Sequence, residues 1–132
     1  MATARVQRGR ATEELVARFL REHGFPHAER RPASLPGTDI TGTPGWAWEC
    51  KARRSLDLTG WLKQAASREG MPLLVVRPDG YGESRIADWP VVLRFSDAAT
   101  LVSHFDNTCE PGDEWLAKVT SGRSSTRSRS LA

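Results

Sequence analysis

The chain has 132 residues, enough for one core, and its 39% hydrophobic and 27% charged content is ordinary for a soluble globular protein. Its net charge is +3 at pH 7, yet residues 1–117 hold fifteen basic side chains and all sixteen acidic ones, a balance of −1, so the high pI says little by itself about nucleic acid. No apolar run approaches the roughly 20 residues that span a bilayer, MATARVQRGRATEE holds no secretory apolar core, and Cys50 and Cys109 make no metal spacing with the histidines, which predicts a reducing cytoplasm.

Residues 10–23, RATEELVARFLREH, predict an amphipathic helix with Ala11, Leu15, Val16, Phe19 and Leu20 on one stripe. At 100° per residue Glu14 falls opposite that stripe and Glu13 falls at its edge, beside the core. His23 closes the last turn and Gly24 follows as a terminating glycine. PHAERR, 26–31, reads as a short strand, and PASLPG as a loop. Asp39-Ile40-Thr41 opens a second strand, and WAWECKA, 46–52, forms a third. The tight turn between them predicts a hairpin.

Residues 58–69 predict a second helix with Leu58, Trp61, Leu62, Ala65 and Ala66 inward. PLLVVRP, 72–78, is a continuous apolar run of the kind found in buried central strands. PVVLRF, 90–95, is a further strand, and SDAATLVSHF a short helix capped by Ser96 or Asp97. The order α-β-β-β-α-β-β-α predicts an α/β fold, a mixed sheet flanked by helices in one domain over 1–117. KVTSGRSSTRSRSLA, 118–132, is Ser/Arg-rich and too poor in apolar groups to offset its ordering entropy, so the expectation is a disordered basic tail with an auxiliary hold on phosphates.

The third strand carries the chemistry. Alternation puts Trp46, Trp48 and Cys50 on one face, the expected core face, and Ala47, Glu49 and Lys51 on the other. Asp39, on the neighbouring strand, can approach Glu49. Two close carboxylates stay ionised together only when a cation holds them. Mg²⁺ favours such oxygen ligands, and an ion between Asp39 and Glu49 suits phosphodiester hydrolysis, with Lys51 neutralising charge on the phosphorus. Taken alone, E-x-K on a strand is most often a solvated ion pair; Glu13 at the helix rim adds an independent part.

The ordered set resembles a known family. Gly9-Arg-Ala-Thr-Glu13 at an amphipathic helix, "HGF", a basic strand, a Ser-containing loop, "DI" and a strand with E-x-K resemble the archaeal-type Holliday junction resolvases, and more closely their counterparts in phages of actinobacteria. These belong to the PD-(D/E)xK nuclease superfamily. The resemblance covers about residues 5–80 and implies a restriction-endonuclease-like fold. It also implies a Mg²⁺- or Mn²⁺-dependent endonuclease that resolves branched, four-way DNA as a homodimer, without an organic cofactor, in the cytoplasm (the host's, if phage-encoded). On it, Asp39, Glu49 and the Cys50 backbone carbonyl would bind metal, Lys51 would be the catalytic lysine, and Glu13 would complete the acidic cluster directly or through water. Ser34 matches the loop serine that handles the scissile strand, although prolines flank it here. Thr38 stands where the superfamily's proline precedes the aspartate.

Arg8, Arg10, Arg30, Arg31, Arg53 and Arg54 cluster in sequence around these residues and would rim a cleft for DNA phosphates. Gln64 and Lys63, on the second helix, would point at the site or at DNA. Trp61 is read as packing on the sheet. Two other readings remain: a restriction- or repair-type nuclease on the same scaffold, which the similar first half of the YraN-like group also suggests, and a non-catalytic DNA-binding accessory protein. No G-x-S-x-G motif and no phosphate-cradling Gly-rich loop is present.

Overall fold

The computed structural model describes residues 3–108. Its contacts group into a compact unit ending at Phe95 and a second beginning at Ser96. Residues 109–132, with Cys109 and the predicted tail, lie outside the described residues.

The architecture is mixed α/β. In chain order it runs α1 (Ala4–Glu22), β1 (Glu29–Arg30), β2 (Ile40–Thr41), β3 (Trp46–Lys51), α2 (Leu58–Ala66), β4 (Met71–Val76), a 3₁₀ helix (Glu83–Asp88), β5 (Val91–Val92) and α3 (Phe95–Thr108). The predicted order holds, with the 3₁₀ helix added. No helix among the described residues is long and apolar enough to cross a membrane.

α1 begins six residues before its predicted start, because Thr3 caps it: the Thr3 hydroxyl oxygen accepts the Val6 N–H at 3.3 Å. Its buried residues are Thr12, Val16, Ala17 and Leu20, so the inward stripe is rotated from the predicted one. Thr12 can lie in the core because its hydroxyl is satisfied. It donates to the Arg8 carbonyl at 2.8 Å and accepts from Arg77 Nη1 at 3.0 Å. At the far end the His23 ring stacks on Phe19, and its Nδ1 lies 2.7 Å from the Phe19 carbonyl, so that nitrogen carries the proton. Gly24 follows with a positive φ, as its place after the helix requires.

The main sheet has three strands in the order β3-β4-β5. β3 and β4 run parallel, from Trp46 beside Met71 to Lys51 beside Val76, and β5 lies antiparallel on the other side of β4. β4 is therefore the central strand. Its residues from Pro72 to Val76 are all buried, as its unbroken apolar run predicted.

The predicted hairpin of β2 with β3 does not form. β2 pairs with β1 instead, Glu29 beside Thr41 and Arg30 beside Ile40. The reason lies at Gly42, whose φ is +79° and where a Cβ would fall 1.9 Å from the His27 carbonyl. Only glycine permits that approach, and it holds β2 against the β1 segment. A backbone bond from Asp39 N–H to the Trp48 carbonyl, 3.1 Å, still ties the start of β2 to β3.

The two faces of β3 also differ from expectation. Ala47 and Glu49 are fully buried, whereas Trp46 and Trp48 are only half-buried. Cys50 and Val75, neighbours in register, join Val16, Ala17 and Leu20 of α1 in the core, with Trp48 packed on its edge. Lys51, on the opposite face, meets Trp61 and Gln64 of α2. Helices cover both faces, so neither is a solvent face, and a charge on β3 sits between layers.

Candidate functional site

Asp39 is fixed from three directions. Its N–H donates to Trp48, its carbonyl accepts the Arg31 N–H at 2.9 Å, and its Oδ2 accepts the Cys50 N–H at 2.8 Å. The last bond turns the carboxylate toward β3 and occupies one lone pair, leaving the rest for a ligand. It also brings Asp39 into hydrogen-bonding contact with the Glu49 carboxyl.

Glu49 is only 3% exposed. Burial first, and then the Asp39 carboxyl beside it, raise its pKa to about 7, against the pull of Lys51 and Arg68. Glu13 stands at the rim of α1 with its side chain 21% exposed, against 60% for Glu14, as the helical angles predicted. Burial and the Asp39 charge raise the Glu13 pKa as well, while Arg30, Arg31 and Lys51 lower it. Glu13 and Glu49 thus each feel the Asp39 carboxyl at the end of the sheet, and a buried acid with its pKa raised to about 7 is where a cation gains most.

Lys51 closes this group from the α2 side. Its Nζ lies 3.5 Å from Gln64 Oε1 and 5.9 Å from the centroid of the Trp61 ring, so Gln64 touches the lysine. Trp61 has a second task beside packing, since it holds the ammonium in place. Arg68, unremarked in the sequence, adds a positive charge on Glu49. Trp61 and Gln64 are spaced at three residues on α2, a helix-face signal that could have marked both, whereas Arg68 lies just past the helix end at Ala66.

An open cleft of about 590 Å³ leads to the acids, lined by Glu13, Asp39, Cys50 and Lys51 together with Arg5, Arg10, Arg30, Arg31 and Arg53. Of the arginines predicted to rim it, Arg10, Arg30, Arg31 and Arg53 do so; Arg8 and Arg54 do not line it, and Arg54 lies 3.3 Å from Asp79. Arg30 is 3.8 Å from Glu13 and 4.0 Å from Glu14. Arg31 is spent on the loop, its Nε donating to the Thr38 carbonyl at 2.6 Å and its Nη1 to Pro32 at 3.1 Å. Ser34 is exposed on that loop, whose Ala33, not Ser34, lines the cleft. The Cys50 thiol is buried and its pKa pushed well up, chiefly by burial, which leaves it unreactive.

The residues fit a hard divalent ion. The donors are oxygens, one carboxyl is anchored by a backbone N–H, and its partner is buried with its pKa raised to about 7, chiefly by burial. Among the described residues, no three His, Cys, Asp or Glu side chains stand close enough to grip an ion by themselves. Asp39 and Glu49 form the inner pair and Glu13 stands outside it, an arrangement suited to an ion that keeps several waters. No protein-family model, no curated protein and no solved structure matches the chain.

Proposed function

We propose that the chain is a divalent-metal-dependent endonuclease of the PD-(D/E)xK type, with a restriction-endonuclease-like fold, and that it cuts branched, four-way DNA. The observation that carries this reading is the buried Asp39–Glu49 pair, with Lys51 on the next inward position of the same strand and an arginine-lined cleft in front. A solvated ion pair does not need a second carboxyl, a rim glutamate and a cleft; hydrolysis of a phosphodiester does.

A Mg²⁺ or Mn²⁺ ion at this pair would supply charge to polarise a phosphate oxygen and to acidify water. Asp39 and Glu49 would hold the ion, with Asp39 fixed by the Cys50 N–H. The Cys50 carbonyl is the further ligand that the family pattern offers. Lys51, beside Trp61 and braced by Gln64, would balance negative charge that builds on the phosphorus. Arg10, Arg30 and Arg53 lie along the cleft where flanking phosphates pass. Symmetric resolution of a four-way junction takes two cuts, so the working species in this reading is a twofold homodimer.

The test is incubation of the purified chain with a labelled four-way junction and a matched linear duplex, in Mg²⁺ and in EDTA. Paired nicks in the junction alone, absent in EDTA, are expected. Equal cutting of both substrates would keep the nuclease and remove the junction specificity. Tight binding without cutting would leave the accessory protein as the reading.

A further inference from the structure

Beyond the acidic cleft, two arginines share the opposite side of α1. Arg77 follows β4, and its backbone N–H donates to the Lys51 carbonyl at 2.8 Å. Strand alternation sends its side chain toward α1, away from the face that carries Lys51. There Nη1 donates to Thr12 at 3.0 Å, Nε donates to the Tyr81 carbonyl at 2.9 Å, and the guanidinium carbon lies 5.2 Å from the centroid of the Trp89 ring. Thr12, 1% exposed, in turn donates to the Arg8 carbonyl. Through Thr12 the Arg77 guanidinium is thus tied to the α1 backbone at Arg8, one helical turn before Thr12.

Neither arginine forms an ion pair among the described residues, unlike Arg18, Arg21, Arg30 and Arg54. Arg77 is half-buried, and burial and the Arg8 charge both lower its pKa with no carboxylate to offset them. An arginine keeps its charge regardless. Two like charges that act on each other with no acid to offset them are stabilised by an external anion. The bonds to Thr12 and Tyr81 use Nη1 and Nε and leave Nη2 for it, while Arg8 is exposed.

We propose that Arg8 and Arg77 form a second phosphate subsite for the DNA backbone, on the α1 side of the sheet's end. It rests on the nuclease reading for its ligand. Tied to Lys51 through one backbone bond, the subsite is held at a fixed distance from the acidic cleft, so it sets which way a bound strand leaves the site. Arg8 then acts where the cleft arginines do not reach.

The experiment is equilibrium binding of the full chain to a fluorescent four-way junction in EDTA, across a salt series, for wild type, Arg8→Gln, Arg77→Gln and the double variant. Each single change is expected to weaken binding about 3- to 10-fold and to reduce the log–log salt slope by about 1. The double variant is expected to lose less than the product of the two, because they grip one phosphate. Unchanged affinity and slope in the folded variants would overturn the subsite. If Arg77→Gln does not fold, by circular dichroism, the exposed Arg8→Gln decides by the same criteria. Binding that depends on these arginines, with no cutting in Mg²⁺, would sink the nuclease reading and keep the subsite. Absence of junction binding by the wild type would overturn both.

Discussion

At the residue scale the behaviour of Glu49 is the most informative. Its folded pKa of about 7 lies above the ordinary value of 4.5, so the folded chain holds a proton that the unfolded chain releases. The sign follows: this group's contribution is fully present below about pH 4.5 and is lost as pH rises through about 7. In EDTA the melting temperature should therefore fall between pH 5 and pH 8 by several degrees more in wild type than in Glu49→Gln, by differential scanning fluorimetry. Equal slopes would remove Glu49 as a buried, proton-holding acid. A second expectation concerns Lys51. Trp61→Leu removes the ring beneath the ammonium, and cleavage should slow about 10-fold at saturating DNA while Trp61→Phe retains most of the rate. Asp39, Glu49 and Lys51 were legible in the sequence because strand alternation and an upstream aspartate define the pair, and Glu13 because helical angles place it at the rim. Arg68 and Arg77 were not. Their roles depend on which layer faces which strand, and no local pattern states that.

At the scale of elements, β4 announced itself by its composition, and α1 and α2 by their periodicity. The pairing of the two-residue strands did not. β1 and β2 are too short for a pattern to fix register, and the partner of β2 is decided by a contact 15 residues back, between Gly42 and the His27 carbonyl. Gly42→Ala should accordingly destabilise the fold by about 2 kcal/mol or more, since both the positive φ and the 1.9 Å approach oppose a methyl. Chemical denaturation measures it; a loss below about 0.5 kcal/mol would show that β2 is not pinned there. The inward stripe of α1 was misplaced for a related reason. Thr12 reads as polar in sequence, yet bonds to Arg8 and Arg77 make it a core residue.

At the scale of the whole molecule, charge is unevenly spread. The nearly neutral body is followed by Lys118, Arg123, Arg127 and Arg129 with no acidic residue after Glu114. Composition alone predicts that deleting residues 119–132 weakens DNA binding at low salt and lowers the salt slope by up to about 3, one for each arginine removed, while cutting at saturating protein persists. An inactive truncation would give the tail more than an electrostatic part. Sequence could state this charge balance in full, because it needs no knowledge of which residues meet in space.

The central claim is that the Asp39–Glu49 pair holds the ion that cuts DNA. Single-turnover cleavage of a four-way junction in Mg²⁺ by wild type and Asp39→Asn, with junction binding measured in EDTA, tests it most directly. The account predicts cleavage by the wild type and a loss of at least about 1000-fold in the variant, with binding kept within a few-fold. A variant that cuts as the wild type does would contradict it.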